Sequence, residues 1–324
     1  MTLKACAAGS ETLLAIWREF ETGKMAHAYL LTGESGVGKK TFAHVLAKAL
    51  LCQGEGEKPC GACRSCKRFE AGTHSNAYFP APQPKKTTIA VDDIRHMIGE
   101  LGRFSLEEGR RVIVIRQAEK LGPGAQNALL KTLEEAGEGV YFVLVTDTER
   151  AILPTIRSRC RVVRIPPWPI KRIQKALMDV GVPEARAQEV ALLCEGSLGR
   201  ALKMQEDEAY WADRQTVADA FLQVKTVADI PRGSLLLKNR KDQAEQLLSI
   251  LEQELRTLIH EKTYGGEKAA LFPEHWQKAD VKSLCRIQDA VLMCRQYKNS
   301  NVGWAANAES LMQVIAEETT KWQL

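Results

Sequence analysis

Two groups of residues have the types and spacing to do chemistry. The first is Gly33-Glu34-Ser35-Gly36-Val37-Gly38-Lys39. It follows an apolar run, Ala28-Tyr29-Leu30-Leu31, and opens a stretch in which Phe42, Val45, Leu46 and Leu50 share helical spacing. A glycine-rich turn between strand and helix aims backbone N–H groups at a phosphate, and Lys39 adds a compact positive charge. A bound nucleotide also brings magnesium, which such loops hold with a hydroxyl directly after the lysine and an acidic residue ending a second strand. Here the next residue is Lys40, with Thr41 one position late, and the apolar run Arg111–Ile115 leads into Arg116-Gln117-Ala118-Glu119. Both metal anchors are displaced or replaced. The expectation is a phosphate loop whose magnesium site is lost, with ATP binding left open.

The second group is Cys52, Cys60, Cys63 and Cys66, spaced C-x7-C-x2-C-x2-C beside Pro59 and Gly61. In a reducing compartment such a cluster binds metal more often than it forms disulfides. Four thiolates suit tetrahedral zinc and leave no open position, so the expected role is structural. An iron–sulfur cluster uses the same ligand type and stays open as the rival. The other five cysteines, Cys6, Cys160, Cys194, Cys285 and Cys294, are isolated and read as buried thiols.

The rest of the 324-residue chain must position these groups. At 45% apolar and 26% charged residues it is long enough for two or three domains and contains no run approaching a membrane span. Its start lacks a secretory h-region, so it reads as cytoplasmic. A net charge of +5 permits contact with nucleic acid without requiring it. Apolar runs at 28–31, 87–90, 111–115, 141–145 and 161–165 alternate with helical patterns, including one that Asp92 could cap and one over 125–135. That alternation predicts a parallel sheet with helices on both faces, with ligand residues at the carboxyl ends of its strands. Beyond Pro166-Pro167-Trp168-Pro169 only helical periodicity remains, with stripes such as Ile173/Leu177, Leu247/Leu248/Leu251/Leu255/Leu258 and Leu284/Ile287/Val291.

Three further segments carry a resemblance. They are residues 151–160, which contain Ser158-Arg159-Cys160 before the run at 161–165, Gly196-Ser197-Leu198-Gly199-Arg200-Ala201-Leu202 in the helical part, and Ala125-Gln126-Asn127-Ala128-Leu129-Leu130-Lys131-Thr132-Leu133-Glu134-Glu135. With the phosphate loop and the four cysteines they resemble bacterial DNA polymerase III clamp-loader subunits of the AAA+ class. Gamma and tau subunits carry an intact lysine–hydroxyl pair and an acidic strand end, so the chain is more similar to the delta-prime branch. The resemblance implies an AAA+ core over 1–167 with a zinc knuckle at 52–66, a helical lid over 168–207 and a helical collar over 208–324. It implies that Arg159 is an arginine finger acting in trans, that Thr146 lies where the gamma-phosphate is sensed, and that Arg200 is the lid arginine. Gly33, Gly36, Gly38, Lys39 and Thr41 would form a nucleotide loop that has become vestigial. The implied partners are gamma/tau- and delta-type subunits and, through the assembly, a sliding clamp and primed DNA. The expected function is that of a subunit without ATPase activity of its own. Two rival readings stand beside it: an active motor ATPase using Thr41 and Glu119, and a zinc-dependent DNA-binding module using Lys58, Arg64, Lys67 and Arg68.

Overall fold

The computed structural model describes residues 1–83, 86–101, 109–265, 271–297 and 303–322. Contacts divide the chain into two units. The first holds Met1–Trp168 with Ser197–Gly199, and the second holds Pro169–Gly196 with Arg200–Leu324.

The first unit opens with helices α1 (Leu3–Ala7) and α2 (Glu11–Glu21), followed by strand β1 (Ala28–Thr32) and helix α3 (Lys39–Leu51). Then come α4 (Arg64–Glu70), β2 (Ala77–Tyr78), α5 (Val91–Leu101), β3 (Arg111–Ile115) and α6 (Pro123–Glu134). β4 (Val140–Thr146), the short α7 (Pro154–Arg157) and β5 (Arg161–Arg164) complete it. All strand pairs are parallel, in the order β2-β3-β4-β1-β5.

The strands read as unbroken apolar runs because both faces are covered. Tyr29, Leu31, Val112, Val114, Val143 and Val145 face a core built with α1, α2 and α3. The alternate residues Leu30, Ile113, Ile115, Phe142 and Leu144 face a core built with α5 and α6. Two expectations need correcting. Residues 87–90 do not form a strand: Thr87 and Thr88 are exposed and only Ile89 makes a bridge, to Leu121. The edge strand is instead Ala77–Tyr78, two residues long and too short for any periodicity. Asp92 also does not cap α5. It is the second residue of the helix, beside Asp93 in the first turn, where both carboxylates oppose the positive end of the helix dipole.

The second unit is helical. It comprises α8 (Ile170–Asp179), α9 (Glu184–Leu193), most of α10 (Leu198–Glu206), α11 (Glu208–Val217), α12 (Ile230–Leu237), α13 (Ala244–Tyr264), α14 (Val281–Tyr297) and α15 (Trp304–Lys321). One core gathers Leu247, Leu251, Leu255, Ile287, Val291, Leu311 and Ile315 around the fully buried Trp276. The buried guanidinium of Arg214 joins α11 to α9 through Glu189 and to α13 through Glu254, at 2.5 Å for the latter. Residues of the expected lid and collar thus share one unit. Among the described residues no helix is long and apolar enough to cross a membrane.

Candidate functional site

The phosphate loop joins the carboxyl end of β1 to the amino end of α3. Its glycines are required by geometry at two points. Gly33 has φ 142°, and a Cβ there would lie 2.4 Å from the Ile165 carbonyl oxygen. Gly38, the N-cap of α3, has φ 97°, a left-handed conformation that favours glycine. The indole N–H of Trp168 donates to the Val37 carbonyl at 3.1 Å and fixes the loop from outside.

Lys39 lies under this loop with its side chain 2% exposed. Its ammonium donates to the Gly33 carbonyl at 2.6 Å, to the Glu34 carbonyl, and to Asp147 Oδ1 at 2.7 Å. An ammonium has three N–H donors, and three protein acceptors surround this one. The sheet register explains the meeting. Thr32 of β1 pairs with Thr146 of β4, so the next residues, Gly33 and Asp147, leave the sheet side by side. Thr146 is buried, and its hydroxyl is turned into its own turn, donating to the Thr148 carbonyl at 3.1 Å and accepting from the Thr148 N–H at 3.0 Å.

The positions where a metal would be anchored carry cations or face solvent. Lys40 and Thr41 are exposed. Arg116, at the end of β3, stacks over Phe79 at 4.9 Å from the ring centre and approaches His44 Nδ1 on α3 at 3.4 Å. Burial holds the His44 imidazole below its ordinary pKa; Glu70 pulls the other way, and the charges of Arg116 and Lys48 add to the lowering. The Oε2 of Glu119 is buried without a hydrogen-bond partner.

The four cysteines meet, with sulfur atoms all within 4.8 Å of one another. Cys52 is the C-cap of α3 and Cys63 the N-cap of α4, so the cluster ties the end of one helix to the start of the next. The N–H groups of Cys60, Cys63 and Cys66 point at the sulfurs of Cys52, Cys60 and Cys63, each at 3.4 Å. Burial works against ionisation of Cys63, but the N–H groups of Cys66 and Gln53 outweigh it and hold the thiol at about 6. Burial pushes Cys66 up to about 12. A set of four sulfurs held by N–H donors fits a thiophilic cation at their centre. Phe69, the one aromatic beside the cluster's basic residues, is buried between His44 and Phe79 and offers no face to a base.

Arg159 lies just past α7. Its guanidinium pairs with Glu134 at the end of α6 and donates to the Thr155 carbonyl at 2.9 Å, while Nε is buried without a partner. Cys160 beside it is buried, which pushes its thiol up to about 12. Cys194 and Cys294 are buried too, whereas Cys6 is half-buried and Cys285 exposed, against the expectation for both. Arg200 belongs to the second unit, where it pairs with Glu195 at 2.6 Å and with Gln253 at 3.2 Å. Lys39 with Asp147, Thr146 and the loop glycines therefore form one site. Asp147 belongs to no motif of the sequence; its partnership with Lys39 spans more than a hundred residues and no local spacing reveals it.

Comparison with known proteins identifies relatives of the chain. Residues 10–169 match the family model described as DNA polymerase III, delta subunit. The DNA polymerase III subunit delta' of Escherichia coli (strain K12) is 34% identical over 206 residues, covering 62% of this chain and 60% of that protein. The matched stretch thus spans about 60% of that relative's length. The delta' subunit of Yersinia pestis is 39% identical over 318 residues, covering 94% of this chain and 91% of that protein. A gamma subunit-related protein of Thermotoga maritima superposes with a TM-score of 0.43 at 16% identity, over 94% of this chain and 99% of that one. With a parallel phosphate-loop core, a four-cysteine cluster and a helical C-terminal region in place, and a match to the Yersinia protein along nearly its whole length, the chain belongs to the delta' family of DNA polymerase III subunits.

Proposed function

We propose that the chain is a delta-prime-type subunit of a clamp loader. It assembles with gamma/tau- and delta-type subunits to place a ring-shaped sliding clamp on primed DNA, and it does not hydrolyse ATP itself. The observation that carries this reading is the state of Lys39, whose three donors are taken by Gly33, Glu34 and Asp147 while cations stand at the positions of the metal anchors. The four thiols are assigned to structural zinc, since all four coordination positions come from protein. Arg159 is assigned to a neighbouring subunit's ATP site. Its planar fork of donors matches phosphate oxygens in a way a lysine does not, and it would neutralise charge developing on the transferred phosphoryl group. Exposed Val227, Leu235 and Leu236, beside a cavity of about 600 Å³ that Ile230, Pro231 and Lys238 help to line, support an assembly role for the helical unit.

The test is a loader reconstituted with gamma/tau- and delta-type subunits, clamp and primed DNA. Arg159→Ala is expected to leave the complex intact and to lower stimulated ATP turnover on the order of a thousandfold at the site it serves, with Arg159→Lys only partly better. Normal clamp loading by the alanine variant refutes the trans role. The isolated chain is expected to show no turnover above background; hydrolysis abolished by Lys39→Ala would return the motor reading.

A further inference from the structure

The geometry points to Asp147 as an internal ligand of the phosphate loop: its carboxylate takes the cation that a nucleotide's phosphate would take, and so closes the site to phosphates. This goes beyond loss of hydrolysis, which needs only the missing metal anchors, and it rests on the reading of the loop as vestigial.

Three observations support it. The ammonium of Lys39 has no donor left, because each of its N–H bonds has an acceptor within the chain. The pair is formed where screening is weak on one side, with the lysine side chain 2% and the aspartate 37% exposed. The carboxylate is also delivered by the sheet itself, since parallel pairing of Thr32 with Thr146 sets Asp147 beside Gly33 at the mouth of the loop. A phosphate entering here must displace a carboxylate already bound to Lys39 and then remain beside it. Like charges at that separation disfavour each other, and no magnesium anchor is present to offset the repulsion. The glycines and the uncapped start of α3 remain suited to an anion. The excluded ligand class is therefore a nucleoside diphosphate or triphosphate, with Asp147 as the residue that excludes it.

Equilibrium binding of ADP and of inorganic pyrophosphate, measured with EDTA present on the full chain, tests the assignment. The wild type is expected to bind either one weakly. Asp147→Ala is expected to gain at least tenfold in affinity for both, and the gain should vanish in the Lys39→Met/Asp147→Ala double variant. Asp147→Asn, nearly isosteric, guards against misfolding of the alanine variant and should gain as well, since a neutral amide neither repels phosphate nor holds the ammonium as strongly. ADP should then raise the melting temperature of the Asp147 variants but not of the wild type. Tight binding by the wild type, or equal affinity in wild type and both variants, overturns the role of Asp147. Neither result touches the non-hydrolysing reading, which fails only if the wild-type chain turns over ATP.

Discussion

The two ends of helix α3 make opposite use of a ligand motif. At its start, glycines and Lys39 form a loop suited to phosphate, and the chain supplies the counter-charge itself through Asp147. At its end, Cys52 joins three other thiols whose sulfurs lie within 4.8 Å of one another. Burial keeps Cys66 protonated up to about 12 while N–H donors favour the Cys63 thiolate. The first site is satisfied without its ligand, whereas the second gathers four sulfurs in an arrangement that fits a cation. A motif therefore reports a binding capacity that the rest of the fold can either leave open or cancel.

The largest expected effect lies at the cysteine end. A purified chain should carry a single zinc, and a strong chelator or Cys63→Ser should destabilise the knuckle by several kcal/mol, about the scale on which structural zinc couples to folding. Because Cys52 caps α3 and Cys63 starts α4, hydrogen exchange should rise at the end of α3 and throughout α4, with the β-sheet still protected. Iron in place of zinc, or knuckle protection that survives chelation, would break the contrast between the two ends.

A smaller effect is expected at the loop end. If Lys39 and Asp147 satisfy each other, Lys39→Met and Asp147→Ala should each lower stability, and a double-mutant cycle should give a coupling of about 1–2 kcal/mol. That figure is set below the cost of breaking a fully buried pair because Asp147 is 37% exposed. Urea unfolding of the four proteins measures it. Zero coupling would mean that the pair holds nothing, and that the loop stays as open to a ligand as the knuckle.

Much of this was legible in the sequence where signals were local. The loop glycines, the cysteine spacing and the apolar strands at 28–31, 111–115 and 141–145 each lie within a few residues, and the sheet buries both faces of those strands. Three things were not legible. The edge strand Ala77–Tyr78 has no periodicity to detect, while Thr87–Ala90 has the residue types of a strand but only the single bridge of Ile89 to Leu121. The Lys39–Asp147 pair follows from strand register, which a single sequence does not contain. The stacking of Arg116 on Phe79 likewise joins separate segments, although a cation at a position expected to be acidic was itself the clue that the site had changed.

The smallest effect concerns pH and sharpens what holds the knuckle against the core. His74 is buried, and its Nδ1 accepts from the Asn76 N–H at 3.1 Å, so the proton sits on Nε2, which faces Ser65 Oγ at 2.9 Å. Ser65 in turn donates to the Leu51 carbonyl at 2.5 Å, linking α4 back to α3. Burial, with a contribution from Arg68, lowers the His74 pKa below its usual 6.5. Above 6.5 the ring is neutral in both the folded and the unfolded chain, and the network is intact. As the pH falls from there toward the folded value, the unfolded chain takes up a proton that the native chain refuses, and stability is lost by up to about 1.4 kcal/mol per pH unit. His44 and His275, also lowered chiefly by burial, act with the same sign. His74→Gln keeps a donor for Ser65 but not the acceptor for Asn76. It should cost about 1 kcal/mol at pH 8 and make the loss between pH 6.5 and 5 shallower than in the wild type. Urea unfolding across that range, with the zinc content checked at each pH, decides it: an unchanged slope would show that His74 is not the group refusing the proton.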